Sequence, residues 1–132
     1  MNRLCISLFL ACFIAGCGST STLGAAADRL DRTSHRFYEQ LYAAPGAGRA
    51  ETDAAMLAEA ARDFNRAVDR NRSRDYLRPS FERVAERYHN LRRQLDDRNY
   101  YERYQRAGFD GVTEAYLDLD RAMNYSDSRS HN

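Results

Sequence analysis

Cysteine is almost missing from this chain of 132 residues, which has only Cys5, Cys12 and Cys17. Because residues 18–132 contain none, that part can form no internal disulfide bond and offers no thiolate to a metal or a substrate. Its stability must come from packing alone. Lysine is missing altogether, and all 20 basic residues are arginine, which we interpret as the codon bias of a GC-rich genome.

Long apolar segments are also scarce. The apolar run from Leu4 to Ala15 follows one basic residue, Arg3, and ends in the small and polar residues 16–22. A membrane-spanning helix needs about 18 or more apolar residues, so this run is too short to cross a bilayer. Its layout predicts a removable signal peptide of residues 1–16.

The sequence Ile14-Ala15-Gly16-Cys17 at the end of this run resembles the lipobox of bacterial lipoproteins. The resemblance implies cleavage between Gly16 and Cys17, a diacylglycerol on the Cys17 sulfur and, usually, an acylated new amino terminus. Two or more acyl chains anchor a protein stably, whereas one binds only marginally. The alternative is an ordinary secretory signal peptide that leaves Cys17 as a free thiol.

Residue 18 bears on localisation. In many Gram-negative bacteria an aspartate after the lipidated cysteine retains such proteins in the inner membrane, and here the residue is Gly18. The resemblance therefore implies a lipid anchor at the periplasmic face of the outer membrane, with inner-membrane or cell-surface attachment as alternatives. We expect an envelope protein as partner, no nucleic acid, which lies in another compartment, and no small-molecule substrate.

The chain after residue 16 is long enough for one domain. Its apolar residues recur at spacings of three and four, which is typical of amphipathic helices, and no segment alternates as a strand does. We predict an all-α fold, a small antiparallel bundle of three to four helices. Residues 17–22 are predicted to be the lipidated cysteine and a polar tether, residues 23–125 the bundle, and residues 126–132 a flexible tail.

Four segments carry this spacing, and each predicts one buried stripe. Alanine and serine occupy several stripe positions of the first two, so those helices should approach a neighbour closely or need a partner. The stripes are Leu23, Ala27, Leu30, Ser34, Phe37 and Leu41; Ala54, Leu57, Ala61, Phe64 and Val68; Leu77, Phe81, Val84, Tyr88, Leu91 and Leu95; and Val112, Tyr116, Leu119 and Met123.

Capping and helix-breaking residues set the predicted helix boundaries. The first helix ends at residues 45–48, the second begins near Thr52 or Asp53, the third has Pro79 in its first turn and reaches Arg106, and the fourth follows breaks at Gly108 and Gly111.

Two groups of residues resemble parts of metal sites. Glu86 and His89 have the Glu-x-x-His spacing of di-iron bundles, but such sites need a second copy and two more inward glutamates. Asp31, His35 and Glu39 stack on the first helix, where we expect a solvated face with pairings of about 0.2–0.5 kcal/mol each. We therefore predict no metal and no cofactor.

Motifs for catalysis are missing too. There is no Gly-x-Ser-x-Gly elbow, no glycine-rich phosphate loop, no Cys-x-x-Cys-His haem motif and no inward carboxylate pair for sugar hydrolysis. We predict that the protein is not an enzyme.

Arginine is concentrated in the middle of the chain, with thirteen arginines and eight acidic residues from Arg62 to Arg106. The densest group is predicted to lie where the second helix meets the third, and it can bind phosphates of lipid headgroups or lipopolysaccharide. In the alternative interpretation these arginines are a solvated helix end that pairs with Asp69 and Asp75. We call this group the arginine cluster: Arg70, Arg72, Arg74 and Arg78.

Tyrosine and arginine also occur together further along the chain. Both types are enriched at interaction hot spots, and three rings within five positions cannot all face one narrow stripe. This segment, which we call the Tyr/Arg patch, comprises Arg98, Tyr100, Tyr101, Arg103 and Tyr104. It is predicted to bind a partner protein, the alternative being a wide apolar face that packs on the fourth helix.

The sequence thus favours a non-enzymatic, lipid-anchored periplasmic lipoprotein that acts as an interaction or adaptor module of the cell envelope. The alternative function, an arginine-rich binder of anionic lipid headgroups or lipopolysaccharide, depends on the arginine cluster.

Overall fold

The computed structural model describes residues 19–44, 46–96 and 103–124. Nearly all of these residues are helical, and no strand occurs among them. The prediction of an all-α helical bundle is confirmed. The helices are α1 (Ser19–Ala43), α2 (Arg49–Arg70), α3 (Arg74–Asp96) and α4 (Arg103–Asn124).

Neighbouring helices run antiparallel. Between α1 and α2, Asp31 contacts Asn65 and His35 contacts Arg62. Residue numbers therefore rise along α1 as they fall along α2, so the two helices are antiparallel. The same order holds for α2 with α3, for α3 with α4 and for α1 with α4. The result is an up-and-down bundle whose helices follow one another around its axis.

This arrangement gives the bundle two ends, which we name by their distance from the start of α1. The proximal end contains the start of α1 at Ser19, the short connection between α2 and α3, and the end of α4 at Asn124. The distal end contains the end of α1, the start of α2, the end of α3 and the start of α4. Since α2 has 22 residues, the ends are about 33 Å apart.

The core contains every residue of the four predicted stripes, because each of them is buried. Small side chains let the backbone of α1 approach those of α2 and α4 closely. Where burial is described, the buried residues that the stripes do not include are all alanines: Ala26, Ala50, Ala58, Ala60, Ala115 and Ala122.

The fourth side of the bundle is built differently. The backbones of α3 and α4 do not approach as closely as the other neighbouring pairs, and aromatic rings fill the space between them. Tyr88 stacks on Tyr116 with ring centroids 4.1 Å apart, and Phe81 and Phe109 continue the stack on either side. Large rings thus bridge a distance that the smaller side chains of the α1 side would leave open.

Ser34 is the one polar residue among the described residues that are buried. Its side chain is buried, and its Oγ atom has no hydrogen-bond partner. A buried hydroxyl without a partner costs about 1–3 kcal/mol. The small volume of serine is compatible with the close approach of α1 to its neighbours.

Two helices begin earlier than the sequence predicts. α1 starts at Ser19, so residues 19–22, interpreted above as a polar tether, are helical. α2 starts at Arg49 and not near Thr52 or Asp53. The reason for the second difference is Gly48, whose φ of 54° lies in a region that glycine adopts without steric cost and turns the chain directly into the helix.

The prediction that Pro79 lies in the first turn of the third helix is wrong. α3 begins at Arg74, so Pro79 lies inside it, one turn later. The side chain of Asn71 sets this start, because its Oδ1 atom accepts a 2.8 Å hydrogen bond from the backbone N–H of Ser73. Such a turn directs the chain into a helix.

The predicted breaks at Gly108 and Gly111 are also wrong, since both lie inside α4, and α3 ends at Asp96, not near Arg106. Gly108 is explained by packing. A Cβ atom there would overlap the Gln40 side chain and lie 3.1 Å from Cδ2 of Phe37. Glycine at this position reflects the closeness of α4 to α1 and not a helix end.

Candidate functional site

The arginine cluster lies at the proximal end of the bundle. Arg70 is the last residue of α2, Arg72 lies in the connection, and Arg74 begins α3, with Arg78 one turn further on. Arg70, Arg72 and Arg78 have exposed side chains, while Arg74 is half-buried. The structure therefore brings the four together at one end, but not in one environment.

Arg74 has a structural role. Its Nε and Nη2 atoms donate hydrogen bonds of 3.3 and 2.8 Å to the carbonyl oxygen of Ala122. That carbonyl lies in the last turn of α4, where backbone oxygens lack partners within the helix and a positive charge is favourable. Arg74 thus joins α3 to α4, whereas the other three arginines, which are exposed, are the candidates for anion binding.

Arg72 places the cluster beside the first turns of α1. A Cβ atom on Gly24 would lie 3.9 Å from Nη2 of Arg72, so the guanidinium reaches the backbone of α1 five residues after its start. Asp69 and Asp75, the partners of the alternative interpretation, take part in no ion pair in the described ranges. Pairing of the cluster with these two aspartates is therefore not seen there, although Arg72 and Arg78 each have another interaction.

The Tyr/Arg patch falls mainly outside the described residues. Arg98, Tyr100 and Tyr101 lie beyond them, and Arg103 and Tyr104 are described only as backbone in the first turn of α4. Residues 1–18, with Gly16 and Cys17, and the tail at 126–132 are outside them as well. Asp96, the last described residue before the patch, and Arg103, the first described residue within it, are both at the distal end.

Two further features of the distal end were missed by the sequence analysis. Tyr42, in the last turn of α1, is 70% exposed, with its ring centroid 6.1 Å from that of Tyr38. A cleft of about 380 Å³ separates the start of α2 from the end of α3. Its lining is polar: Arg49, Thr52, Asp53, Asn90, Arg93 and Gln94. No spacing pattern marks either feature, because both depend on which helix ends meet.

The histidine on α1 proves to be part of a bridge to α2, not of a solvated face. Nδ1 of His35 lies 2.9 Å from Oδ1 of Asp31 and 2.8 Å from its backbone oxygen, and Nε2 lies 2.6 Å from Nη2 of Arg62. A guanidinium can only donate, so Nε2 accepts and Nδ1 carries the proton. Nδ2 of Asn65 completes the bridge with a 3.2 Å bond to Asp31, whereas Glu39 is exposed.

Both ring nitrogens of His35 are thus engaged, which leaves no lone pair for a metal or for proton transfer. Glu86 and His89 are exposed on α3, and His89 meets the rings of Tyr88 and Tyr116 at their edges. Throughout the ranges that the structure describes, no three or more ligating side chains come together in a way that could hold a metal ion.

One titratable group stands out in the aromatic side of the bundle. Burial raises the pKa of the Tyr116 hydroxyl, and the negative charge of Asp120 and the neighbouring Tyr88 raise it further. The hydroxyl of Tyr88 donates a 3.1 Å hydrogen bond to Oγ1 of Thr113. This hydrogen bond joins α3 to α4.

No helix in the described ranges has both the length and the apolar character that crossing a membrane requires. Comparisons of the chain with models of known protein families, with curated proteins and with solved structures gave no match. A function must therefore be inferred from the residues and geometry of the chain itself.

Proposed function

We propose that the protein is a non-enzymatic lipoprotein of the bacterial cell envelope, anchored through Cys17 at the periplasmic face of the outer membrane. The bundle acts as an adaptor that presents its distal end to another envelope protein. The anchor supplies a high local concentration of the bundle at the membrane surface, so that partner binding needs less intrinsic affinity.

The observation that carries this proposal is the position of the two ends. α1 begins at Ser19, two residues after Cys17, so the anchor can be only about 8 Å from the proximal end. Asp96 before the Tyr/Arg patch and Arg103 within it lie at the distal end, about 33 Å away along the bundle. An anchored bundle of this form holds the patch clear of the membrane.

The contents of the distal end favour a protein as the partner. An exposed tyrosine, Tyr42, and two arginines beside the polar cleft, Arg49 and Arg93, are of the residue types enriched at interaction hot spots. Of the polar groups that resembled parts of metal sites, Asp31 and His35 have structural contacts instead, since they join α1 to α2.

The first experiment is mass spectrometry of the natively processed protein. We expect an amino-terminal Cys17 that carries a diacylglycerol and an added acyl chain. A processed chain with an unmodified thiol at Cys17, or an unprocessed amino terminus, would contradict the anchor.

Photo-crosslinking in cells then tests the partner. A photoreactive residue in place of Tyr42 or Arg93 probes the distal end, and the same residue in place of Asp63 or Glu82 probes the sides. We expect one dominant envelope protein to be captured from the distal positions and lost in a Cys17→Ser control. Capture of that protein equally from the sides, or its undiminished capture by the unanchored control, would overturn the adaptor proposal.

A further inference from the structure

The proximal end combines two features that the sequence treats separately, the expected lipid anchor and the arginine cluster. Arg72 lies against the second turn of α1, and Arg70 ends the neighbouring helix. Residues 69–78 contain four arginines and two aspartates, so this connection has a net positive charge. Arg70, Arg72 and Arg78 remain exposed there.

The register of the helices defines how far the cluster stands from the start of α1. Counting along the helices from the contact of His35 with Arg62, Arg70 is level with Ala27. Counting likewise from the contact of Arg29 with Asp118, the end of α4 is level with Leu23. The first turn of α1, residues 19–22, therefore projects beyond the other helices by four residues, which is about 6 Å.

This projection matches the thickness of a lipid headgroup layer. A bilayer is about 40–45 Å thick with headgroups and about 30 Å without them, which leaves about 5–7 Å of headgroups on each side. With the acyl chains of Cys17 in the hydrocarbon, the first turn of α1 crosses this layer. Arg72, level with Gly24, then stands at the outer edge of this layer, and Arg70, level with Ala27, stands about 5 Å beyond it.

We infer that Arg70, Arg72 and Arg78 bind the phosphates of anionic phospholipid headgroups and thereby hold the anchored bundle upright on the membrane. Guanidinium groups suit this role because they form paired hydrogen bonds with phosphate oxygens. Arg74 is not part of this surface, since it is half-buried and points to the end of α4 at Ala122. The inference deepens the proposed function and rests on its lipid anchor.

Orientation in vesicles tests the inference. The lipidated protein, which has no other cysteine after residue 17, is given a single fluorophore through Ser73→Cys at the proximal end or Thr52→Cys at the distal end. It is reconstituted into phosphatidylcholine vesicles with or without phosphatidylglycerol, and a quencher is attached to the lipid headgroups. With phosphatidylglycerol we expect strong quenching at position 73 and little at position 52, and a smaller difference without it.

Charge variants sharpen this test. In anionic vesicles, the triple variant Arg70→Gln, Arg72→Gln, Arg78→Gln should show the same small difference in quenching between positions 73 and 52 that the unaltered protein shows in neutral vesicles. Each arginine near an anionic surface contributes about fivefold to the equilibrium constant for binding that surface. Loss of three arginines should therefore lower the equilibrium constant between the upright and other orientations on the order of a hundredfold. A matched variant with the same charge change elsewhere should keep the anionic behaviour: Arg36→Gln, Arg83→Gln, Arg92→Gln.

Salt gives a second measurement that needs no variant. Raising the ionic strength to about 1 M shortens the Debye length from about 8 Å to about 3 Å, and the difference between positions 73 and 52 should shrink to its value in neutral vesicles. A difference that is independent of salt and lipid charge, or that arises only when lipopolysaccharide is present, would overturn the inference. Failure of the protein to float with any vesicle would instead contradict the lipid anchor.

Discussion

The two sides of the bundle fill their cores in opposite ways. Around α1, alanines such as Ala27 and Ala54, together with Ser34, allow close backbone approach. Between α3 and α4, stacked rings of Tyr88 and Tyr116 span a wider gap. Both solutions reach the dense packing that a protein interior requires, but small residues do so by moving helices together and large residues by filling the space between them.

This difference determines how each side should respond to mutation. A close contact between small residues has no room for added atoms, whereas a wide contact depends on the atoms that fill it. Added volume should therefore damage the α1 side, and removed volume should damage the α3–α4 side. Three predictions follow this comparison, in order of decreasing effect.

Tyr88→Ala should have the largest effect. The Tyr88 side chain is only 2% exposed and stacks on both Tyr116 and Phe109, so truncation leaves a cavity between α3 and α4. We expect the free energy of unfolding to fall by about 3–5 kcal/mol, as measured by urea denaturation of the chain without its acyl groups.

The control for this variant is Tyr88→Phe, which keeps the ring and removes only the hydrogen bond to Thr113. Its expected cost is about 0.5–1.5 kcal/mol. If the two variants were equally destabilised, the stacked rings would not be what supports this side of the bundle.

Ala27→Leu tests the opposite side. Ala27 is 1% exposed in the close contact of α1 with its neighbours, and a leucine there would force the helices apart. We expect a loss of about 1–3 kcal/mol in urea denaturation. Ala25→Leu, two residues earlier on the exposed face of the same helix, is the matched control and should change stability by less than about 0.5 kcal/mol. Equal free energies of unfolding for the two variants would mean that the contact of α1 with its neighbours can accommodate a larger side chain at position 27.

The buried stripes could be predicted from the sequence because their apolar residues have a helical period. The six extra buried alanines, Ala58 and Ala115 among them, could not, since alanine is common on both buried and exposed helix faces. Helix boundaries failed where local turns decided them. Gly48 and Asn71 start α2 and α3 through their backbone geometry and side-chain bonding, and Gly108 follows from a tertiary contact.

Candidate site residues were predictable by type but not by environment. The arginine cluster is visible as a run of charge, yet only the register of four helices places it beside the start of α1. The spacing of the four arginines in the sequence also did not predict that one of them, Arg74, binds the end of α4. His35 was expected on a solvated face, because the partners that bridge it to α2 are about thirty residues away in the chain.

The smallest effect concerns the pH dependence of the aromatic side. Burial, Asp120 and Tyr88 raise the pKa of Tyr116, whereas a tyrosine in an unfolded chain ionises near pH 10. Between these two pKa values the folded state keeps a proton that the unfolded state releases, so the free energy of unfolding falls as pH rises above about 10.

Tyr116→Phe removes this contribution and leaves the other tyrosines in place. We expect the variant to lose stability less steeply than the unaltered chain above about pH 10 in urea denaturation, and to show the same pH dependence between pH 7 and 9. Parallel alkaline losses in the two proteins would mean that the ring between α3 and α4 is open to water, and that this side of the bundle is looser than its stacking indicates.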